Sequence, residues 1–373
     1  MSSVPAAEPR QVSSHRLLSI DALRGFDMFW IASGENFVLA LLARSEAPWA
    51  KTASRQLEHV AWEGFRFYDL IFPLFLFLAG VVIPFSMSRQ QADGAAAWWR
   101  IGRRTVLLFL LGLLCNGLLE FDWKELRIAG VLQRIAVCYG ITAAISLKTG
   151  WRTQLAVIIG ILIAYCGILS FIPAPGSAAG DLSPQGNLAG YLDRNFLPGK
   201  ILDEYYGYGD NEGLLSTLPS VATCLLGCLC GHWLLSSYRG WTKAGGLVLA
   251  GSFCLMAGTV WGNYFPIIKN LWTSSFVLVA GGWSLLLLAV FYAVIDVLRL
   301  QRWAFVFIVI GSNAITIYVV PSFIDFSRMS AWFLGGFAKM SGDWNSVVLS
   351  GGVIVLQWLF LYYLYRNRIF LRL

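Results

Sequence analysis

Charge is scarce in this sequence of 373 residues. Asp, Glu, Lys and Arg make up only 13% of it, whereas about 25% is usual in a soluble domain. Hydrophobic residues make up 57%. This composition excludes an ordinary soluble enzyme and predicts an all-α polytopic membrane protein. The net charge of +7 then reflects membrane topology and the lipid bilayer as a partner, and nucleic acid is not expected as a partner.

Several catalytic signatures are also missing from the sequence. It contains no Walker loop, no dinucleotide-binding glycine motif, no HExxH and no GxSxG. Its seven cysteines all lie in apolar runs and have no zinc or redox spacing. We therefore expect no metal site, no disulfide and no nucleotide-driven chemistry.

The first residues lack the apolar core of a signal peptide. We therefore expect residues 1–16 to form a cytoplasmic, disordered tail and the first membrane span to remain in the mature chain. Residues 17–373 are expected to form one transmembrane domain, with a long outer loop at about 173–214.

Apolar runs of about 20 residues predict membrane spans, and ten can be identified. They are 17–43, 66–88, 104–120, 129–147, 153–172, 215–236, 244–263, 273–296, 303–321 and 346–365. With both termini cytoplasmic, the short inner segments hold more than half of the 28 Lys and Arg residues, as the positive-inside rule requires. These residues are Arg10, Arg16, Arg89, Arg100, Arg103, Arg104, Lys148, Arg152, Arg239, Lys243, Arg299, Arg302, Arg366, Arg368 and Arg372.

Ionisable groups inside spans are unfavourable unless they are paired, so they indicate structure or function. Asp21 and Arg24 are three residues apart in the first span and can pair on one helix face. The alternative reading is a basic site for phosphates. Glu35 and Asn36 lie near the outer end of the same span and are not expected to face lipid.

The densest polar cluster precedes the second span. Only three histidines occur in the chain, and His59 lies among Glu63, Arg66 and Asp69. If a helix begins before His59, Glu63 at i+4 would orient the imidazole, and Arg66 would pair with Asp69 at i+3. Imidazole is suited to proton transfer near neutral pH. A histidine that merely ends a helix is the alternative.

Further polar groups accompany the later spans. Arg134 lies about a turn inside the fourth span and needs an anionic or carbonyl partner, and Asn313 lies in the ninth. The outer loop ends in the aromatic, amide and carboxylate residues of 205–213, a composition that suits a carbohydrate site and also a solvated loop.

Six segments, taken together, resemble the heparan-α-glucosaminide N-acetyltransferase family, most closely its bacterial NagX-type branch. They are RLLSIDALRG at 16–25, the pattern from His59 through WEG to DLIFP at 69–73, GVLQRIA at 130–136, NEGLLST at 211–217, LWTSSF at 271–276 and GSNA at 311–314. The resemblance runs in order along nearly the whole chain.

The resemblance implies transfer of an acetyl group from cytoplasmic acetyl-CoA to an amino sugar or related carbohydrate beyond the membrane. It implies a homodimer in the bacterial inner membrane, and it makes His59 the catalytic histidine. The other catalytic candidates are Asp69, Asn36 and Glu35. Candidates for substrate binding are Trp62, Glu63, Asp210, Glu212 and Asn313. Candidates for holding acetyl-CoA are Arg24, Arg100, Arg103, Arg104 and Arg134.

Two questions stay open at this point. His59 can act as a general base in direct transfer or as a nucleophile that carries the acetyl group, with Asn36 or Asn313 stabilising the thioester oxygen. A membrane transporter for N-acetylglucosamine or a similar sugar is the alternative function.

Overall fold

A computed structural model describes residues 17–90, 94–202 and 207–371. The N-terminal tail, Tyr205, Tyr206 and Arg372 lie outside the described residues. The helices are α1 (Leu18–Phe29), α2 (Glu35–Leu42), α3 (Pro48–Gln56), α4 (Ile71–Gln90), α5 (Ala95–Cys115), α6 (Val131–Lys148), α7 (Trp151–Phe171), α8 (Leu188–Phe196), α9 (Thr217–Leu235), α10 (Gly240–Gly262), α11 (Ser274–Tyr292), α12 (Phe305–Ser312), α13 (Ala314–Val319), α14 (Phe326–Met340) and α15 (Asn345–Arg366).

Among the described residues, seven helices are long and apolar enough to cross a membrane. They are Phe67–Ser88, Val131–Lys148, Trp151–Phe171, Thr217–Leu235, Gly240–Gly262, Ser274–Val297 and Gly342–Arg366. The pair α12 and α13 forms an eighth candidate that bends by 74° between Ser312 and Ala314. The predicted helical membrane protein is confirmed.

Each of the ten predicted spans coincides with helix. The first, 17–43, is α1 and α2 joined by a π-helical turn at Trp30–Gly34. This segment and α5 are helical but are more polar than the other spans, because each carries several charged residues within one membrane-length window. The ninth predicted span is broken at Asn313, so the total of ten crossings and the cytoplasmic termini stay predictions.

Three helices lie where loops were expected. Helix α3 fills part of the connection between the first two predicted spans, and α8 lies inside the long loop 173–214. Helix α14 precedes the last span and packs against it, with the Ser330 hydroxyl donating to Leu349 O at 2.7 Å. Its Trp332, Phe333 and Met340 are exposed, as lipid-facing side chains are.

Helix α4 lies at the centre of the main core and packs closely on α9. The crossing depends on two glycines, because a Cβ on Gly80 would lie 1.9 Å from Cys224 O and a Cβ on Gly227 would lie 2.0 Å from Phe77 O. Small residues let helix backbones approach in membranes, where van der Waals packing drives association. A similar glycine contact, Gly25 with Gly311, joins α1 to α12.

The α4–α9 contact predicts different effects of two Gly→Ala substitutions. Gly80→Ala forces the two backbones apart, so we expect destabilisation on the order of 1–3 kcal/mol and a lower Tm in mild detergent. Gly160→Ala is the matched control, because nothing lies within 4 Å of its Cβ position and alanine favours helix over glycine. Equal Tm shifts in the two variants would contradict this view of the core.

Candidate active site

Asp69 is fixed by the 3-10 turn Phe67–Leu70, which leads directly into α4. Arg66 precedes the turn in an extended conformation, and its backbone N–H donates to Asp69 Oδ2 at 3.0 Å. The carboxylate is completely buried. A buried carboxylate needs hydrogen bonds to remain charged, and the turn supplies the first.

The second partner of Asp69 is His59. Nδ1 of the ring lies 2.7 Å from Asp69 Oδ1, and the ring remains 45% exposed. The Arg66 guanidinium donates to His59 O at 3.1 Å and so holds the backbone of the histidine. A carboxylate that accepts the Nδ1 hydrogen orients the ring and leaves Nε2 as the basic nitrogen.

The expected helical pairing of His59 with Glu63 is wrong. Residues 59–66 are not helical, since α4 begins only at Ile71. Gly64 has a φ of 120°, and Glu63 instead forms an antiparallel bridge with Ile268. Glu63 is exposed, and Asp69 takes the orienting role. The side chain of Arg66 approaches Glu58, not Asp69.

Lys269 lies beside this pair and was missed by the sequence analysis. Its Nζ is 3.0 Å from each ring nitrogen of His59 and 3.7 Å from Asp69 Oδ1. The lysine belongs to the turn between α10 and α11, in which Trp272 N donates to Lys269 O and Thr273 N to Ile268 O. The LWTSSF motif, which was identified from the sequence, is thus part of the turn that holds Lys269, which was not.

A second cluster forms where the long outer loop meets the start of α6. Arg127 donates to both carboxylate oxygens of Asp210, at 3.0 and 2.7 Å, and also bonds Glu212. Burial alone would lower the pKa of Arg127, but its bonds to Asp210 and the charge of Glu212 raise it above the ordinary value. Arg127 was not identified from the sequence, although it lies shortly before the GVLQRIA motif.

Two further groups hold the end of this loop. Arg134 donates to Gly213 O at 3.3 Å and bonds the Ser216 hydroxyl, and its guanidinium lies over the Trp272 ring. Asp193 accepts the backbone N–H groups of Asp210 at 3.2 Å and Leu214 at 2.8 Å. A Cβ on Gly213 would lie 2.0 Å from Asp193 Oδ2, so a larger residue there would displace the Asp193 carboxylate.

A cavity of about 250 Å³, here called the histidine cavity, lies between these clusters. Its lining is partly polar and partly apolar. The polar lining residues are His59, Tyr68, Arg127, Asn211, Glu212, Lys269 and Tyr318, and the apolar ones are Met28, Ile31, Ile71, Phe72, Phe75, Val131, Leu132, Ile135 and Leu202. An apolar site with a few convergent polar groups is the usual form of a small-molecule pocket.

A smaller cavity of about 150 Å³, here called the arginine cavity, lies further along α4 and α6. Its lining comprises Ile83, Ser86, Met87, Ala97, Arg100, Ile101, Arg103, Arg104, Tyr139 and Leu147. Arg104 lies over the Tyr139 ring at 4.4 Å, and its buried Nε has no hydrogen-bond partner among the described residues. Arg100, Arg103 and Arg104, which the sequence analysis named as candidates for holding acetyl-CoA, therefore line the same cavity.

Glu35, another of the candidates, contacts a residue that lines the histidine cavity. It bonds the hydroxyl of Tyr68, whose ring lies 4.9 Å from that of His59. Deeper in α1, Asp27 is fully buried, and neither of its oxygens has a hydrogen-bond partner within the described part of the chain. Neither Glu35 nor Asp27 lines the histidine cavity.

Other predicted residues have different partners and line neither cavity. Trp62 donates to Leu182 O at 2.9 Å, and Asn36 is exposed. Asn313 is buried, donating to Ile369 O at 3.1 Å and accepting from Leu371 N at 3.3 Å. Arg24 pairs with Asp21 at 3.8 Å, as the i,i+3 spacing predicts.

Comparison with known proteins gives a consistent result. A family model described as heparan-alpha-glucosaminide N-acetyltransferase, catalytic, matches residues 16–191. Heparan-alpha-glucosaminide N-acetyltransferases of Mus musculus and Homo sapiens are each 26% identical to this chain, over 374 and 375 residues and 84% of its length. The chain spans about half the length of these relatives, 54% and 55%.

These matches confirm the resemblance identified in the sequence. The family-model match contains His59, Asp69 and the arginines of the arginine cavity, whereas Lys269 and the loop around Glu212 lie beyond it.

The buried Asp193 carboxylate predicts a pH effect on stability. Burial, only partly offset by its two backbone hydrogen bonds, raises its pKa from 3.8 to about 6. The folded state therefore binds this proton more tightly than the unfolded state, so this group adds stability as the pH falls through about 6 towards 4. Asp193→Asn removes the titration.

We expect the Tm of the wild type, relative to that of Asp193→Asn, to rise when the pH is lowered from about 7 to about 4.5. Taking the difference between the two proteins cancels the other titrating carboxylates. A gap in Tm that stays constant, or that moves the other way, would show that the pKa of Asp193 is not raised in the folded protein.

Proposed function

We propose that this protein is a transmembrane acyltransferase that moves an acetyl group from acetyl-CoA to the amino group of an amino sugar. The observation that carries the proposal is the His59–Asp69 pair beside a cavity whose lining is partly polar and partly apolar. The names of the two similar proteins support both the reaction and the amino sugar.

The chemistry follows from the orientation of His59. With Nδ1 directed at Asp69, Nε2 accepts a proton from the acceptor amine as its nitrogen attacks the thioester carbon. The carbon–sulfur bond then breaks, and the imidazolium returns a proton to the leaving sulfur. Buried Asp69 stabilises the imidazolium that exists between these two proton transfers. The acetyl group passes directly from sulfur to nitrogen, and no acetylated histidine forms.

Recognition of the acceptor is assigned to the end of the long outer loop. Glu212 lines the cavity and already shares its charge with Arg127. Asn211 Oδ1 is buried without a hydrogen-bond partner among the described residues, so it can accept from an amine or hydroxyl of a sugar. Buried polar groups of this kind discriminate strongly against ligands that leave them unpaired.

The arginine cavity suits the phosphates of acetyl-CoA, the second substrate. Arginine binds phosphate through charge-assisted, often bidentate hydrogen bonds. Arg100, Arg103 and Arg104 line the cavity. The Nε–H group of Arg104 is a hydrogen-bond donor without an acceptor among the described residues, so it can donate to a phosphate. Under the positive-inside rule this end of α4 is cytoplasmic, where acetyl-CoA is made.

One face of α4 connects the two cavities. Phe72 and Phe75 line the histidine cavity and Ser86 the arginine cavity, while Ala79 and Val82 between them remain partly exposed although the opposite side of the helix is buried. The spacing of three and four residues gives a straight stripe. From Phe75 to Ser86 it extends about 16 Å, a length that suits an extended pantetheine arm.

We propose a bacterial inner membrane as the location of the enzyme, with the histidine cavity at the periplasmic end. The homodimer implied by the family resemblance is retained as part of this proposal.

His59 and Asp69 give the first test of the function. With purified protein, labelled acetyl-CoA and glucosamine, we expect formation of the acetylated sugar, reduced about 10²-fold or more in His59→Ala. Asp69→Asn should lower kcat with little change in KM, because the ring loses its orienting charge. Glu63→Gln is the matched control, since Glu63 is a carboxylate even closer in sequence to His59 than Asp69 is, yet it lies outside the cavity.

Full activity in His59→Ala would refute the chemistry. A different result would indicate a transporter and not an enzyme. In that case no amino sugar tested would be acetylated, and proteoliposomes that contain the protein would take up N-acetylglucosamine.

Substitution of Ala79 tests the stripe on α4 as the path of the pantetheine arm. Ala79→Phe places a large ring midway along the stripe, so we expect KM for acetyl-CoA to rise tenfold or more, on the order of 1.4 kcal/mol, with KM for glucosamine unchanged. Ala79→Ser adds a single oxygen and should behave like the wild type. Equal increases in both KM values for Ala79→Phe would indicate general damage to the fold.

A further inference from the structure

The described amine closest to the proposed base belongs to the protein itself. Lys269 Nζ lies 3.0 Å from the ring nitrogens of His59, lines the histidine cavity and is only 14% exposed. A general base must lie within hydrogen-bond reach of the amine that it deprotonates. Lys269 therefore already occupies the position that the acceptor amine must take.

The backbone around Lys269 is firmly held, so this placement is built into the fold. Thr273 Oγ1 donates to Pro266 O at 2.8 Å and accepts from Ile268 N at 3.1 Å. The Tyr165 hydroxyl donates to Leu271 O at 2.5 Å, and Ile268 forms the bridge with Glu63. A reactant held in this way has a high effective concentration, which accelerates bimolecular reactions.

We propose that Lys269 is a self-acetylation site, at which the protein transfers an acetyl group from acetyl-CoA to its own lysine when no acceptor is bound. This inference rests on the proposed function. It assigns Lys269 as an internal competitor for the amino sugar and a covalent off-switch for the transferase.

The step is balanced with acetyl-CoA as the sole co-reactant. His59 Nε2 takes one proton from the Lys269 ammonium, and the freed nitrogen forms a bond to the thioester carbon. The carbon–sulfur bond breaks, the sulfur receives a proton, and one further proton goes to solvent. The products are Nε-acetyl-lysine, CoA thiol and H⁺, and nothing is oxidised or reduced.

Acetylation has two consequences at the site. It removes the positive charge beside His59 and Asp69, and it leaves an acetamide where the acceptor amine must bind. An amide is far less reactive than a thioester, so this acetyl group does not pass on to sugar. Acceptor in the cavity displaces the lysine from His59 and protects it.

The test uses the purified full chain with isotopically labelled acetyl-CoA at about pH 8.5, where more of a lysine amine is neutral. After proteolysis, mass spectrometry measures the labelled acetyl occupancy of each lysine. Lys51 and Lys200 are internal controls for non-enzymatic labelling, because both are more exposed than Lys269 and line neither the histidine cavity nor the arginine cavity. We expect Lys269 to exceed them about tenfold and to lose this excess with glucosamine or in His59→Ala.

Lys269→Arg separates modification from damage to the site. Preincubation with acetyl-CoA alone should lower the later rate of sugar acetylation in the wild type, in proportion to Lys269 occupancy. The same preincubation should leave the rate of Lys269→Arg at its own starting value, whatever that value is.

The outcomes distinguish this inference from the proposed function. A protein that acetylates glucosamine while Lys269 stays at the level of Lys51 and Lys200 overturns the inference alone. Excess labelling of Lys269 that persists in His59→Ala also overturns it. A protein that acetylates neither sugar nor Lys269 overturns the proposed function as well.

Discussion

Charged groups withdrawn from water must be paired, and in this protein the pairs build the site. Transfer of an ionised side chain into an apolar environment is strongly unfavourable unless partners replace the lost hydration. Arg127 with Asp210 and Arg134 with Gly213 join segments that are 83 and 79 residues apart, and Asp69 holds His59 ten residues before it. Because these charges have fixed partners, the loops at this end of the bundle converge on one cavity.

Local patterns in the sequence predict the helices but not the contacts between loops. Hydropathy places ten helical segments and isolates His59 as the interesting histidine. Prediction from local pattern fails around His59 itself. Glu63 has the spacing from His59 that a helix would require, but residues 59–66 are not helical and Glu63 forms a bridge with Ile268. Lys269 is 210 residues from His59, and no periodicity connects positions so far apart. Only the fold shows that the turn containing the LWTSSF motif brings Lys269 next to His59.

The two cavities ease the main physical difficulty of acetyl transfer across a membrane. One cofactor molecule cannot easily span the full bilayer core of about 30 Å. Here the histidine cavity descends along α4 to Phe75, and the arginine cavity rises along the same helix to Ile83. Only a few turns of helix separate them, so one extended acetyl-CoA suffices for direct transfer in the proposed mechanism.

Transfer of acetyl groups along the α4 stripe from one side of the membrane to the other can be measured in sealed proteoliposomes. Acetyl-CoA is trapped inside and glucosamine is supplied only outside. We expect acetylated sugar in the external medium, at a rate that depends on His59. Product that appears only when both substrates share one compartment would contradict it.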